Sequence, residues 1–142
     1  MGEFEPKKSN VFPIAVYVAN AVSAQSDVQM SIAGEATATD VPQQPIPWAG
    51  SIVGMSLQCE AVVSAGTADL VATINGVTAA AAVALQLDAV TNTQYTAATW
   101  NRGLYPITAN QRIGAQYTTT GTFTAGDTRS LMCYVFIHVE EN

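Results

Sequence analysis

Side chains that could carry out catalysis are few and scattered along this chain. Histidine occurs once, as His138, and cysteine occurs twice, as Cys59 and Cys133. A serine or cysteine nucleophile needs a base beside it, but His138 lies in an apolar stretch and no G-x-S-x-G elbow leads into a predicted helix. Zinc needs clustered cysteine and histidine, which this spacing does not supply. We therefore interpret His138 as a surface or interface side chain.

Carboxylate chemistry is the remaining catalytic option. Glu60, Asp69, Asp88 and Asp127 are isolated in the sequence, and no D-x-D-x-D pattern typical of a calcium loop occurs. Spacing alone leaves open that two of them meet as a glycosidase pair, although solvated turn positions explain them more simply. The glycines lie in β-turn contexts and not before a phosphate-binding helix. The sequence predicts no enzyme, no bound metal and no cofactor.

The charge of the chain limits its partners. Its 142 residues suit one domain, only 11% of them are charged, and the net charge is −6. Lys8 is the last lysine in the sequence. Nucleic acids and anionic membranes both attract clustered basic side chains, so neither is an expected partner. A large uncharged surface is instead typical of a protein covered by other proteins.

Alternating apolar residues predict strands over most of the chain. In SIVGMSLQCEAVV, Val53, Met55, Leu57 and Cys59 fall on one face. Further on, Asn75-Gly76 is a strong hairpin signal, because both turn positions favour positive φ. That hairpin would place Ile74 opposite Val77 and continue through an unbroken second arm to Leu87. A third run puts the following on one face: Ile113, Ala115, Tyr117 and Phe123.

The last predicted strand, SLMCYVFIHVEE, is apolar on both faces. One face carries Leu131, Cys133, Val135, Ile137 and Val139, and the other carries Met132, Tyr134, Phe136 and His138. Such a strand is central in a sandwich or lies against another subunit. Both cysteines fall on inward faces, which favours buried free thiols, although a bridge between neighbouring strands stays open. Together the patterns predict an all-β antiparallel sandwich or barrel.

The opening segment imitates a secretory signal peptide. Residues 7–27 read KKSNVFPIAVYVANAVSAQSD, with two lysines, an apolar run and small residues. Glu3 and Glu5 offset the lysines, and Pro13 interrupts the run. Read with a period of two, one face carries Phe12, Ile14, Val16 and Val18, as in a strand. We expect the segment to stay attached and, with Phe4 in its leader, to act as an interface arm.

Two stretches are expected to lie outside the central strands, the first as a connection and the second as an irregular loop. Residues 34–47 are rich in proline, threonine and glutamine, and TNTQYTAATWNRGLYP is predicted to be a long surface loop. Aromatic side chains flank such loops at Trp48, Tyr95, Trp100 and Tyr105. They could stack on sugars or anchor an interface, or they could simply cap the ends of the sandwich. The predicted division is an arm with first strands over residues 1–40 and a sandwich over residues 41–142.

Two segments carry a family resemblance that covers roughly residues 45–140. PIPWAGSIVGMSLQCEAVVSAGTADLVATINGV and ITANQRIGAQYTTTGTFTAGDTRSLMCYVFIHVE resemble the small jelly-roll proteins of tailed bacteriophages, namely capsid decoration (cement) proteins and trimeric fibre domains. Their glycine-rich turn patterns also occur in tumour-necrosis-factor-like trimers. The resemblance implies a jelly-roll sandwich and no catalytic residues.

The resemblance also implies a function in a virus particle. The expected function is capsid decoration at the virion surface after assembly in the host cytoplasm. The major capsid protein and copies of the chain itself, as a homotrimer, would be the partners. A trimeric receptor-binding fibre tip is the alternative. A secreted lectin-like or cytokine-like domain is a third, which would require the opening segment to be a signal peptide.

Overall fold

The protein is built from strands and turns. A computed structural model of the chain describes residues 10–32, 36–37, 42–126 and 129–139, and within this part no helix is long and apolar enough to cross a membrane. The strands of these residues are β1 (Val11–Val18), β2 (Val28–Met30), β3 (Ala36–Thr37), β4 (Gln44–Ile46), β5 (Gly50–Cys59), β6 (Thr67–Ile74), β7 (Val77–Thr78), β8 (Ala84–Asp88), β9 (Tyr95–Thr99), β10 (Pro106–Ile107), β11 (Gln111–Thr119) and β12 (Leu131–Val139).

The strands form two antiparallel sheets. In the first, β12 lies between β1 and β5, and both β9 and β10 pair with the other side of β5. In the second, the order is β3-β2-β11-β6, with β7 and β8 both on β6 and β4 on β11. The inward side chains of both sheets form one apolar core. The predicted all-β antiparallel sandwich is confirmed, and the jelly-roll connectivity stays a prediction.

The hairpin at Asn75-Gly76 forms in the predicted register. Ile74 pairs with Val77, and both turn residues have positive φ, 53° for Asn75 and 78° for Gly76. The predicted unbroken second arm is wrong, because β7 ends at Thr78 and pairing with β6 resumes only at Ala84. The extra residues are even in number, so the alternation survives and Leu85 still faces the core opposite Leu70.

Strand β5 departs from the predicted alternation near its start. Phe136 of β12 pairs with Gly54, but the next residue of β12 pairs with Ile52, so Val53 is an extra residue in a β-bulge. Ile52 is therefore buried and Val53 is only partly buried. The prediction that Val53 belongs to the inward face is wrong, because an inserted residue reverses the alternation beyond it.

The opening segment contributes a strand of the sandwich. β1 pairs with β12 along its whole length, from Val11 opposite His138 to Val18 opposite Leu131. Residues 1–9, including the predicted arm residue Phe4, lie outside the described part of the chain. The short strand β2 follows at Val28–Met30.

The supposed loop before Trp100 contains a strand. Tyr95–Thr99 pairs with β5 from Gln58 to Gly54 and forms β9. The expectation of an irregular loop is wrong here, because a tyrosine and two threonines favour a strand and β5 offers them a ladder to pair with. Tyrosine and threonine both favour a pleated, half-buried surface.

Candidate functional site

The outward side chains of β1, β12, β5 and β9 form a continuous surface, called here the uncharged face. Antiparallel pairing brings these side chains together in rows across the strands. The three rows are Pro13–Phe136–Gly54–Thr99, Ala15–Tyr134–Ser56–Ala97 and Tyr17–Met132–Gln58–Tyr95. None of these residues is ionisable at neutral pH. Such a surface is uncommon on a chain whose net charge is −6.

Aromatic side chains occupy the centre of the uncharged face. Tyr134 and Phe136 are stacked, with ring centroids 6.3 Å apart and an interplanar angle of 28°. Phe136 lies over Gly54, where an added Cβ would stand 3.5 Å from the phenyl ring and 3.3 Å from the carbonyl oxygen of Ala98. The ring of Phe136 therefore lies within van der Waals reach of the position that a side chain at Gly54 would occupy. Aromatic side chains held in this way are typical of protein interfaces.

A groove crosses the uncharged face beside Tyr134. Its volume is about 490 Å³. Tyr95, 73% exposed, and Met132, 42% exposed, stand at this groove. Its polar lining comes from Ser56, Gln58, Asn92 and Thr96. The groove offers apolar walls with neutral hydrogen-bonding groups and no charge.

A second apolar groove lies at the end of the sandwich near the start of β1. Phe12 and Trp48 stack across its mouth, with centroids 6.2 Å apart and an angle of 21° between the rings. Both rings are about half exposed, and Pro45, Ile137 and other apolar residues complete a space of about 240 Å³. Trp48 therefore holds Phe12 at the surface, while Trp100 and Tyr105 pack edge to face elsewhere.

The structure separates the predicted interface residues into three groups. Met132, Tyr134 and Phe136 lie together on the uncharged face, and His138 lies at its end. Phe12 is exposed in the second groove. The remaining members of the predicted arm are buried in the core of the chain itself: Ile14, Val16 and Val18. Docking through these three would require β1 to leave the sandwich.

His138 contacts a cation and not a nucleophile. Its Nε2 lies 3.2 Å from the guanidinium NH1 of Arg102. Because a guanidinium only donates, Nε2 is the acceptor of this hydrogen bond. Nδ1 is buried and has no hydrogen-bond partner among the described residues. The opposite residue on β5, Ser51, accepts a hydrogen bond from the backbone N–H of Gly103 at 2.9 Å.

Two of the candidate carboxylates, those of Asp88 and Asp69, complete a turn and a cross-strand pair. Asp88 accepts hydrogen bonds from the backbone N–H groups of Thr91 and Val90, and these bonds lower the pKa of its carboxyl group. Asp69 accepts a hydrogen bond from Gln86 at 2.6 Å across β6 and β8. In the described ranges, no three side chains of histidine, cysteine, aspartate or glutamate come close enough to hold a metal ion. Asp127 lies outside those ranges.

Both cysteines are free and buried, as the strand pattern predicts. They lie on neighbouring strands but not opposite each other, since Cys59 pairs with Leu131 and Cys133 pairs with Leu57. Burial raises the pKa of the Cys133 thiol to about 12 and also raises that of Cys59. The thiols therefore stay protonated at neutral pH, and protonated thiols are poor nucleophiles and metal ligands.

Sequence reasoning missed the part of the uncharged face that β9 contributes. Its residues read YTAAT and show no alternation of apolar and polar side chains, so periodicity gave no signal for this strand. The position of Phe136 against Gly54 of β5 also had no local signal.

Comparisons with known proteins are sparse. The sequence matches no family model and no curated protein. Among solved structures, the fold is similar to a chain described as "Cyanophage Pam1 capsid asymmetric unit", with a TM-score of 0.48 and 13% sequence identity. The superposition covers 99% of this chain and 92% of that chain. A likeness at this level assigns neither an activity nor a residue role to the present chain.

Proposed function

We propose that this chain is a non-enzymatic structural protein of a bacteriophage particle that decorates or cements the capsid shell. The observation that carries the proposal is the uncharged face, a wide surface of aromatic, small and neutral side chains on an acidic protein. An exposed surface of this composition is typical of a site for another protein. The resemblance of residues 45–140 to phage decoration proteins supports the nature of that partner, the major capsid protein.

The reactive residues give a second line of support. His138 has a guanidinium beside it, the carboxylates of Asp69 and Asp88 complete a cross-strand pair and a turn, and both thiols are protonated. A chain whose reactive side chains are held in this way would act by binding other proteins through its surface. Its place would be the capsid surface, after assembly in the host cytoplasm. The homotrimer implied by the resemblance and the docking of the leader around Phe4 both stay predictions.

A charge placed on the uncharged face tests the proposal. Met132→Asp should weaken binding to undecorated capsid shells of the parent virus by at least about tenfold, because an unpaired carboxylate would be desolvated in the contact. The measurement is co-sedimentation over a range of protein concentrations. Ala84→Asp is the matched control, since Ala84 is exposed on the outward face of the other sheet.

The two variants give distinct outcomes. Retained binding by Ala84→Asp together with weakened binding by Met132→Asp supports the proposal. Equal binding by both variants would remove the uncharged face from capsid docking. No binding by the unmodified protein would overturn capsid decoration altogether.

The groove beside Tyr95 favours a second candidate function, a trimeric fibre or receptor-binding tip. Exposed tyrosines with neutral amides and hydroxyls suit the apolar faces and hydroxyl groups of a neutral oligosaccharide. Titration of isotope-labelled protein with neutral oligosaccharides would shift the amide signals of Thr96 and Asn92 if the groove binds sugar. Tyr95→Ala should abolish those shifts, and their absence from the unmodified protein excludes this function.

A further inference from the structure

Strand β9 leaves one edge of the first sheet unpaired. Cys59 donates its N–H to the carbonyl of Gln94 at 2.8 Å, and Trp100 donates to Val53 at 2.9 Å. The backbone N–H and C=O groups of the even-numbered residues of β9 therefore point toward β5. Those of Tyr95, Ala97 and Thr99 point away from it. Among the described residues these groups have no backbone partner outside the ladder. All three residues are exposed.

Two other edge strands of the sandwich, β1 and β8, carry features that hinder pairing. Along β1, the N–H of Tyr17 points away from β12 and donates to the carbonyl of Ser31. Backbone direction repeats every second residue of a strand, so the nitrogen of Pro13 also points away from β12. Proline has no N–H to donate, and it is a common protection of edge strands. At the end of β8, the N–H of Asp88 is bonded to Asn92, and its carboxylate adds a charge.

The sequence of β9 contains none of these protections. Tyr95–Thr99 reads YTAAT, with no proline, no charge and no register shift against β5. An edge of this kind is a template for another strand. Its exposed alternating side chains belong to the uncharged face, so a strand added here would extend that face.

We infer that β9 pairs in antiparallel fashion with β9 of a second copy of this chain, about a two-fold axis at Ala97. Tyr95 of one copy then lies opposite Thr99 of the other, and Ala97 lies opposite itself. Each of these residues exchanges both backbone hydrogen bonds with its opposite residue. The pairing joins β1, β12, β5 and β9 of one copy to the same strands of the next.

A second copy fits this edge better than an unrelated strand for two reasons. The strand is self-complementary, since the small Ala97 meets itself and the large Tyr95 meets the shorter Thr99. The contact is also free of charge, so two acidic molecules meet where their mutual repulsion is weakest. Capsid binding is not required for this contact.

Ala97→Lys and Ala15→Lys test the pairing as a matched pair. Both alanines are exposed in the same cross-strand row, at opposite edges of the first sheet. Light scattering after size-exclusion chromatography should give the mass of two chains for the unmodified protein and for Ala15→Lys. Ala97→Lys should weaken self-association by about tenfold or more, because two ammonium groups would face each other across the axis.

Ala97→Pro removes the outward N–H while leaving every hydrogen bond to β5 in place. Two hydrogen bonds are lost per dimer, and we expect roughly thirtyfold weaker association. Hydrogen exchange gives a second readout, since the amides of Tyr95, Ala97 and Thr99 should be protected in the unmodified dimer, and those of Tyr95 and Thr99 should exchange rapidly in both Ala97 variants. Circular dichroism checks the fold of each variant.

Three results would overturn the inference. The first is an unmodified protein with the mass of one chain at millimolar concentration and unprotected edge amides. The second is a dimer that Ala97→Lys leaves intact. The third is a trimer unaffected by either Ala97 variant, which would instead support the closed homotrimer. None of these results depends on capsid binding, so failure here and failure of the proposed function are distinguishable.

Discussion

The outer faces of the two sheets differ in whether other parts of the same chain cover their side chains. On the second sheet, Gln116 donates from Nε2 to Thr78 Oγ1 at 2.9 Å, and Gln29 donates to the carbonyl of Gly76 at 3.0 Å. Turns of the same chain thus cover this polar face. On the first sheet, Tyr134, Phe136 and Met132 point outward, and no turn of the described residues donates or accepts a hydrogen bond over them.

Each face has one glycine beneath a larger side chain. Gly114 on β11 lies under Gln43, whose amide donates to the carbonyl of Met30 at 3.2 Å and whose Oε1 accepts from Thr73 at 3.5 Å. Gly54 on β5 lies under Phe136. The polar cover depends on hydrogen bonds with fixed geometry, whereas the aromatic ring can slide at little cost. The same substitution should therefore have different effects on the two faces.

Gly114→Ala should have the largest effect on stability. A Cβ at this position collides with the side-chain amide of Gln43, which is 4% exposed and must move away from its partners. Overpacking and lost buried hydrogen bonds together should lower the free energy of unfolding by about 2–3 kcal/mol. Urea denaturation measures this change. A loss below about 0.5 kcal/mol would show that Gln43 does not hold the polar face together.

Thr73→Val should have an intermediate effect. The substitution keeps the branched shape but removes the hydroxyl that donates to Gln43, so a buried amide oxygen loses a partner. We expect a loss of about 1 kcal/mol in the same measurement. Ser56→Ala, on the uncharged face, is the control and should change stability by less than about 0.5 kcal/mol. Equal losses for both would contradict the contrast between the faces.

Gly54→Ala should have the smallest effect. Its Cβ would lie 3.3 Å from the carbonyl oxygen of Ala98 and 3.5 Å from the ring of Phe136, so small shifts accommodate it. We expect a loss of about 0.5 kcal/mol, partly offset because alanine restricts the unfolded chain more than glycine does. A loss as large as that of Gly114→Ala would show that Phe136 is held as rigidly as Gln43.

Several features follow from the sequence alone because they depend on local pattern. Positive φ at Asn75-Gly76 sets the hairpin register, and the alternation in β12 separates a buried row from an outward aromatic row. The inward position of Cys59 and Cys133 follows from the same alternation. Within such elements, neighbours in sequence supply enough information to predict the structure.

Tertiary structure decided where those patterns break and which surfaces stay open. The bulge at Val53 exists because β5 must match β12 on one side and β9 on the other, a constraint absent from its own residues. β9 is a strand because β5 offers it a ladder, and no other described strand pairs with its outer edge. Ile14 is a core residue and Phe12 an exposed one, although both belong to the same alternating run, because β1 extends past the sandwich core at its start. Burial depends on packing partners that are distant in sequence, and local periodicity does not predict which partners these are.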